Sequence, residues 1–356
     1  MIGIADLFCC PLTRQDLRFH ECTAETVPIE PWRALGERHG LGPLVGTLET
    51  ADRTTAYPVW KDIIGLLPEF ARTGGAAAAR TELGDTKRSV ARFYDEFGWV
   101  EGAAGGYFND ALAFEDLRPL TAFYRVRCHR RVNRVLAGGK YLLDVASGPV
   151  QIPEYVSFSQ AYEKRICVDI SVIGLLHAKR RLGEHAICVI GDITALPLRT
   201  NTVDGLVSLH TVYHVPAQEQ STAIAELHRV LRPGGRGAIV YSWGGQALVY
   251  RVISRIARWL HAPATTAASS TLVHASMPLY FHPQSYDWFQ REIEPRFPLE
   301  LRVWRSLDKG SLEYLARGRI SAALMLWPLY VLEQMFPRLF GRIGVCPMFV
   351  MSKAPA

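Results

Sequence analysis

Hydrophobic and polar positions alternate most regularly between residues 138 and 243. Short apolar runs predict strands at residues 140–145, 165–169, 186–190, 203–209 and 236–243. Between them, apolar residues at helical spacing predict helices such as "SVIGLLHAKRRL" (171–182) and "QSTAIAELHRVL" (220–231). Strands that alternate with helices at this spacing predict βαβ units, which build a parallel sheet through right-handed crossovers. The fold class expected from the pattern is therefore α/β.

The flanking segments follow other patterns. Residues 1–70 are loop-rich, and the Gly/Ala-rich stretch "RTGGAAAARTELGD" (72–85) is typical of a linker. Residues 90–136 are aromatic and charged, with apolar residues at helical spacing in their second half. After Trp243 the pattern predicts a basic helix (246–261), a loop (262–276), and late strands at "LELRVWRS" (299–306) and "CPMFVMSK" (346–353).

Acidic residues stand at the ends of three successive predicted strands. They are Asp144 in "LLDVASGPV", Asp169 in "RICVDIS" and Asp192 in "VIGDITALP". Ligands of open parallel sheets bind beyond the carboxyl ends of the strands, and a carboxylate there suits a ribose diol. Small residues follow the first acid and allow a close approach of the backbone to a ligand: Ala146, Ser147 and Gly148. The pattern therefore predicts a nucleotide-like ligand at this edge.

Two further segments complete the pattern, "LHTVYHV" after the fourth strand and "ELHRVLRPGG" before the fifth. With them, residues 138–243 resemble the class I S-adenosylmethionine-dependent methyltransferases, and in particular the enzymes of ubiquinone and menaquinone biosynthesis. "LLDVASGPV" is similar to the Asp-x-Gly-x-Gly-x-Gly loop of that family, "VDIS" to its ribose acid and "GDITALPL" to its adenine-side acid. The resemblance implies a Rossmann-like, mostly parallel sheet of seven strands in the order 3-2-1-4-5-7-6, flanked by helices. The last strand would run antiparallel between strands five and six.

The resemblance also implies site residues for the cofactor, S-adenosyl-L-methionine. The methionine moiety would lie against the loop of Asp144, Ala146, Ser147 and Gly148. The ribose would bind Asp169 beside Ile170, the adenine would lie between Asp192 and Ile193, and His210 would lie under the cofactor. The loop departs from the family because Ala146 and Val150 replace its first and third glycines. We expect Val150 to displace the start of the next helix slightly, and Pro149 to occupy the first turn of that helix.

Methyl transfer from a sulfonium requires alignment of the reactants and exclusion of water. A hydroxyl acceptor also requires a base to take its proton. His214 and His210 are the candidates, with Tyr213 between them, because the ordinary pKa of histidine lies near the working pH. The alternative is that these residues only pack and hydrogen-bond at a strand end. A metal pair is discounted, because no acid or cysteine lies close in sequence.

The first seventy residues resemble a second kind of module. "LFCCPLTRQDLRF" and "YPVWKDIIGLLPEF" are similar to the zinc ribbon found at the head of some methyltransferases, where two cysteine pairs bind the metal. Here Cys10-Pro11-Leu12 is followed by Thr13, and Cys22 stands alone. We therefore expect a degenerate zinc-ribbon-like module without zinc (1–70), a linker (71–89) and a methyltransferase domain (90–356). The last would divide into a helical lid (90–136), a cofactor-binding core (138–243) and an acceptor-side insertion (244–345).

Composition narrows the partners and the compartment. The net charge of +6 is spread over 356 residues, whereas a nucleic-acid binder clusters its basic residues, so we expect no nucleic acid. The seven cysteines lack regular spacing, and the first eight residues lack the features of a signal peptide. The longest apolar stretch, residues 320–332, is interrupted by Pro328 and is too short to span a membrane. These features predict a cytoplasmic protein.

The acceptor predicted for this enzyme (EC 2.1.1.-) is a small molecule: a quinone, lipid, sugar or secondary-metabolite-like compound. Residues 248–260 form a basic amphipathic pattern, which together with residues 324–336 indicates an apolar or lipid-like substrate or a peripheral membrane contact. Packing of these helices on the sheet is the commoner explanation. The oligomeric state is not predicted.

Two other functions compete with this one. A non-catalytic nucleotide-fold binding or scaffold protein is favoured by the altered loop residues Ala146 and Val150, whereas the three retained acids favour an enzyme. A dinucleotide-dependent dehydrogenase is disfavoured, because the loop lacks the closely spaced glycines of Gly-x-Gly-x-x-Gly.

Overall fold

A twisted mixed sheet runs through the part of the chain that the computed structural model describes, residues 2–21, 30–73, 83–103, 105–259 and 278–355. Its strands are β1 Leu17–Glu21, β2 Leu44–Thr50, β3 Thr55–Trp60, β4 Ile63–Gly65, β5 Arg72–Thr73, β6 Gly139–Val145, β7 Tyr162–Asp169, β8 Ala186–Ile190, β9 Val203–Leu209, β10 Leu231–Val240, β11 Leu299–Arg305 and β12 Cys346–Ser352. Neighbours in the sheet follow the order β1-β2-β3-β4-β8-β7-β6-β9-β10-β12-β11, and β5 pairs with β3.

Helices flank this sheet. They are α1 Ile2–Ala5, α2 Glu30–His39, α3 Asp85–Phe93, α4 Asn109–Phe114, α5 Ala122–Asn133, α6 Pro153–Val156, α7 Val172–Leu182, α8 Gln220–Val230, α9 Leu248–Trp259, α10 Tyr286–Trp288, α11 Lys309–Leu315, α12 Arg319–Met335 and α13 Pro337–Ile343. Five-residue π-helical turns extend α3 and α10, at Tyr94–Gly98 and Phe289–Ile293. In the described ranges, no helix combines the length and the apolar character needed to cross a bilayer.

The predicted α/β fold is confirmed. All five strands predicted between residues 138 and 243 are present as β6–β10, and β6, β7, β8, β9 and β10 pair in parallel. The last strand, β12, pairs antiparallel with both β10 and β11, as predicted. One boundary differs: β10 begins at Leu231 and shifts register before Arg236, so the Pro-Gly-Gly turn is a bulged start of the strand.

The predicted number of seven strands is wrong, because strands of the first seventy-three residues extend the same sheet. The link is β4, which pairs in parallel with β8 through Ile63 opposite Cys188. All of β3 and β4 is buried, so these apolar segments cover an edge that would otherwise be open. Phe8 and Tyr57 belong to the same hydrophobic core as the central strands. The division of the chain into separately folding domains stays a prediction.

The cysteines of the amino-terminal segment are packed rather than arranged around a site. Cys9 and Cys10 are buried, and the Cys10 Sγ lies 3.3 Å from the Tyr57 hydroxyl. Across the described ranges, no group of three His, Cys, Asp or Glu side chains is placed to hold a metal ion. Cys22, residues 74–82 of the predicted linker and the predicted loop 262–276 lie outside the described residues.

The central strands bring the predicted site residues to one edge of the sheet. Strands β6–β9 are buried almost throughout, as in parallel sheets covered on both faces. The register places Val145 opposite both Val168 and Ser208, so β6, β7 and β9 end side by side. The acids that follow these strands therefore face a common space.

Candidate active site

A cavity of about 450 Å³ lies at the carboxyl edge of the central strands. Ten of the eleven predicted site residues line it: Asp144, Ala146, Ser147, Asp169, Ile170, Asp192, Ile193, His210, Tyr213 and His214. The eleventh, Gly148, is covered by the indole of Trp99, which itself lines the cavity. The fold thus brings together residues that are far apart in the sequence, although their roles stay predictions.

The loop after β6 has the same backbone conformation at three alternate positions. Ala146, Gly148 and Val150 have φ angles of 53°, 49° and 52°, in the left-handed region that favours glycine. The glycine pattern of the family loop therefore has a conformational cause, and Ala146 and Val150 adopt these angles at a cost.

The side chain of Val150 does not enter the cavity. It is fully buried in the hydrophobic cluster that contains Cys167 and Leu175. The prediction about Pro149 is wrong, because no helix begins there: α6 begins at Pro153, which takes the first-turn position instead. The left-handed conformation of Val150 changes the direction of the chain, and α6 begins only afterwards, at Pro153.

Asp169 is held with its carboxylate toward the cavity. Its Oδ2 accepts a hydrogen bond from the Gly148 backbone N–H (2.8 Å) and its Oδ1 accepts one from the Ser171 N–H (2.8 Å). Burial raises the pKa of this carboxyl to about 7, and the two N–H donors oppose that shift only partly. The group can accept hydrogen bonds from a diol when it is ionised.

Asp144 forms a buried ion pair that sequence analysis missed. The Arg165 guanidinium donates to Asp144 Oδ2 through Nε (3.0 Å) and Nη2 (2.5 Å), and both side chains are almost fully buried. Arg165 also donates to the carbonyl oxygen of Tyr155 (2.6 Å). In the sequence, this ion pair was indicated by a lone arginine within the apolar strand "KRICVD". In the structure, the Arg165–Asp144 pair fixes the start of the loop.

Asp192 is engaged by a lysine from the segment before the sheet. Lys87 Nζ donates to Asp192 Oδ2 (2.7 Å) and Thr194 Oγ1 (2.7 Å), and lies 2.5 Å from a carboxylate oxygen of Glu219. Asp192 Oδ1 accepts from the Thr194 N–H (2.9 Å), which caps the short turn after β8. Lys87 thus lies at the end of the cavity where the sequence predicts adenine.

His210 carries two features that are typical of functional positions. Its φ angle is 59°, and its Nε2 is buried without a hydrogen-bond partner within the described part of the chain. Burial, then the charge of Arg305, lowers the pKa of this imidazole to about 3, so the ring is neutral near pH 7. A neutral ring with so low a pKa is suited to contact with a ligand rather than to proton abstraction. Tyr213 is likewise protonated, because burial raises its pKa.

His214 has the geometry of an oriented base. Its Nδ1 lies 2.6 Å from the carbonyl oxygen of Tyr280, which only accepts, so Nδ1 carries the hydrogen and donates it. The lone pair is then on Nε2, which lies 3.5 Å from the Tyr94 hydroxyl. A backbone carbonyl that fixes the tautomer in this way makes the opposite nitrogen, beside the Tyr94 hydroxyl, the basic nitrogen of the ring.

Part of the segment predicted to form a lid (90–136) lines the cavity. Tyr94 and Trp99 line the cavity and stack with ring centroids 4.7 Å apart, whereas Tyr107 lines a separate surface hollow. Two other residues of the predicted lid, Arg127 and His129, do not line the cavity. Arg127 lies over the rings of Trp327 and Tyr330, and His129 is buried with its pKa lowered to about 3. These two belong to helix packing instead.

Other polar side chains that were not predicted from the sequence also line the cavity. Asp110 accepts a hydrogen bond from Gln151 Nε2 (2.7 Å), and burial raises the pKa of its carboxyl to about 6. Arg305 forms a buried ion pair with Glu115 (2.7 Å). No local pattern pointed to these residues, which come together only because β11 and the helices before the sheet meet at the cavity.

Comparison with known proteins shows what the segment around this cavity is similar to. Residues 143–239 match the family described as "Methyltransferase domain". A provisionally named methyltransferase of Encephalitozoon cuniculi is 33% identical over 86 residues, which cover 24% of this chain and 40% of that protein. Residues 143–239 are therefore similar to a methyltransferase domain, and the cofactor that this similarity indicates is S-adenosylmethionine. The match agrees with the predicted class at the level of this segment, which spans less than half of the length of that relative.

Solved structures show weaker similarity. The N-methyltransferase NodS of Bradyrhizobium japonicum, in complex with S-adenosyl-L-homocysteine, is 10% identical over 76% of this chain and 99% of its own, with a TM-score of 0.43. Geranyl diphosphate C-methyltransferase of Streptomyces coelicolor is 13% identical over 78% of this chain and 100% of its own, with a TM-score of 0.43. Scores this low carry no inference about a substrate.

Proposed function

We propose that this protein transfers a methyl group from S-adenosylmethionine to a small, largely apolar acceptor in the cavity beside β6–β9. The observation that carries the proposal is the convergence of Asp169, Asp192 and the left-handed loop on one cavity. The proposal includes the resemblance to the methyltransferases of ubiquinone and menaquinone biosynthesis. It also includes the chemical class of the acceptor, which is a quinone, lipid, sugar or secondary-metabolite-like compound.

The proposed cofactor position follows from the donors and acceptors of the site. Asp169, fixed by the Gly148 and Ser171 N–H groups, accepts hydrogen bonds from the ribose diol. Asp192 and Ile193 flank the adenine, and the backbone beside Ala146 and Ser147 lies against the methionine moiety. His210 contributes a neutral polar edge under the cofactor.

The bound cofactor supplies an electrophilic methyl group on a sulfonium. The chain's own residues align the acceptor, exclude water and accept the proton that a hydroxyl acceptor loses. The stacked rings of Tyr94 and Trp99 cover the loop side of the cavity. His214 Nε2 takes the proton in this proposal, while Asp110 and Arg305 interact with polar groups of the acceptor.

A non-catalytic scaffold protein is the second candidate, and the strained loop favours it. Calorimetry with S-adenosylhomocysteine separates the two. We expect saturable binding by the natural sequence and a loss of affinity of at least about tenfold in Asp169→Ala, since each hydrogen bond to a charged group contributes about 1.5–3 kcal/mol. Asp6→Asn, at an exposed position, is the control. Absence of binding would leave the scaffold function.

Activity is tested separately by incubating the protein with cofactor and cell extract and searching by mass spectrometry for metabolites that gain one CH₂ group. Such products should require the natural site and disappear in Asp169→Ala. Cofactor binding without any methylated small molecule would contradict the small-molecule acceptor while leaving the cofactor site intact.

A further inference from the structure

The longest helix exposes its apolar side. In α12 and the start of α13, most of the exposed side chains are apolar, and the following large ones are between 42% and 77% exposed: Ile320, Leu324, Met325, Trp327, Val331, Leu332, Met335, Phe336 and Leu339. Contiguous apolar surface of this kind marks an interaction site on a water-soluble protein.

The inward side of α12 is fixed to the protein by a polar anchor. Glu333 is fully buried and accepts hydrogen bonds from the Tyr124 hydroxyl (2.6 Å) and from Arg131 (2.8 Å). Breaking a buried pair of this kind is strongly destabilising. The helix is therefore held in an orientation that directs its apolar residues outward.

A second helix adds to this exposed area. In α9 the exposed apolar residues are Leu248, Val252, Ile256 and Trp259. The short helix α11 contacts both α9 and α12, so the two helices share a neighbour. We refer to the exposed residues of α9, α12 and α13 as the apolar–basic surface.

The exposed charges on the helices of the apolar–basic surface are all positive, and one of them, Arg338, also lies 3.9 Å from Glu300 of β11. Seven arginines of its helices and their flanks are exposed: Arg251, Arg255, Arg258, Arg317, Arg319, Arg338 and Arg342. In residues 248–259 and 316–343 the only acidic residue is the buried Glu333. Exposed apolar side chains among cations match the interface of an anionic bilayer, where headgroups attract arginine and aromatic or aliphatic side chains enter the acyl boundary.

We propose that the apolar–basic surface docks on an anionic lipid bilayer. A symmetric dimer through the same surface is less suited, because it would bring arginines of two copies together without an exposed acid in these helices to pair with them. Tyr250 of α9 also lines the cavity, so docking places the cavity beside the bilayer. The proposal does not depend on the proposed methylation.

Vesicle flotation of the full-length protein tests the proposal. We expect flotation with an equimolar mixture of phosphatidylcholine and phosphatidylglycerol, and little with phosphatidylcholine alone or in high salt. Arg319→Gln and Arg338→Gln should each weaken binding about fivefold, which corresponds to about 1 kcal/mol per basic residue near the membrane. Leu324→Glu should abolish flotation, whereas Leu12→Glu, at an exposed apolar position elsewhere, should not change it.

Thermal unfolding of each variant distinguishes loss of docking from loss of fold, and Arg319→Gln keeps the test valid should Leu324→Glu misfold. The proposal is wrong if the natural protein fails to float with anionic vesicles, or if Leu324→Glu folds and floats equally well. A concentration-dependent dimer that Leu324→Glu dissociates, without vesicle binding, would also overturn it and assign the surface to a subunit contact.

Discussion

The left-handed backbone at Ala146 leads to a prediction about stability. An L-residue in that conformation costs about 1–2 kcal/mol, and glycine avoids this cost. Glycine also makes the unfolded chain more flexible, which offsets about 0.4–1 kcal/mol of the gain. Ala146 is only half-buried, so loss of its methyl group removes little packing. We therefore expect Ala146→Gly to raise the free energy of unfolding by about 0.5–1 kcal/mol.

Urea denaturation of the two proteins measures this difference. The matched control is Ala113→Gly, because Ala113 is also half-buried but lies inside the helix α4. Glycine in a helix interior costs about 1 kcal/mol relative to alanine, so the control should change stability in the opposite direction. Cofactor affinity should be at least as high in Ala146→Gly as in the natural protein.

A loss of stability in Ala146→Gly, of the same sign as in Ala113→Gly, would refute the reasoning, because it would mean that position 146 carries no conformational cost.

Three other predictions concern the cavity. His214→Asn should lower turnover at least about tenfold, as expected for loss of a general base, while affinity for S-adenosylhomocysteine stays within about twofold. His185→Asn is the control. Equal losses of turnover and of affinity would indicate a structural role for His214. Burial raises the pKa of Asp169 to about 7, and only its carboxylate form accepts both diol hydrogen bonds. The affinity for S-adenosylhomocysteine should therefore rise about tenfold between about pH 6 and pH 8. An affinity that calorimetry finds constant over this range would contradict the prediction. Lys87→Met leaves Asp192 and Glu219 without their shared cation and should lower the free energy of unfolding by about 3 kcal/mol in urea titrations. The double variant Lys87→Met, Asp192→Asn should recover part of this loss. No loss in Lys87→Met would mean that the two ion pairs contribute nothing to stability.

The parts of the fold that sequence analysis predicted correctly are those determined locally. Each of β6–β9 is a short apolar run, and Asp144, Asp169 and Asp192 lie at or just after the ends of such runs. Parallel pairing then brings these acids to one edge without further information. The predicted site follows from that single topological rule.

The features that were missed depend on contacts between distant segments. The three-residue strand β4 has no periodicity of its own, and its pairing with β8 is visible only in the folded sheet. Lys87 lies 105 residues before its partner in the cavity, Asp192. Arg305 lies 190 residues after its partner, Glu115. A single sequence holds no signal for such pairs.

The residue Val150 was judged by size, whereas the backbone decides its effect. Its left-handed φ directs the side chain into the core with Leu175 instead of toward the cavity. Position-specific backbone geometry of this kind cannot be derived from side-chain volume alone.

The indole above Gly148 indicates which substitutions the loop tolerates. Positions 146, 148 and 150 share one dihedral preference, yet a Cβ at 148 would lie 2.6 Å from the Trp99 ring, whereas residues 146 and 150 already carry side chains. The Trp99 ring that covers this loop therefore limits substitution of its residues more than the backbone torsions do. A side chain at 148 would require the Trp99 ring to move or become smaller, whereas positions 146 and 150 accept side chains with the ring in place.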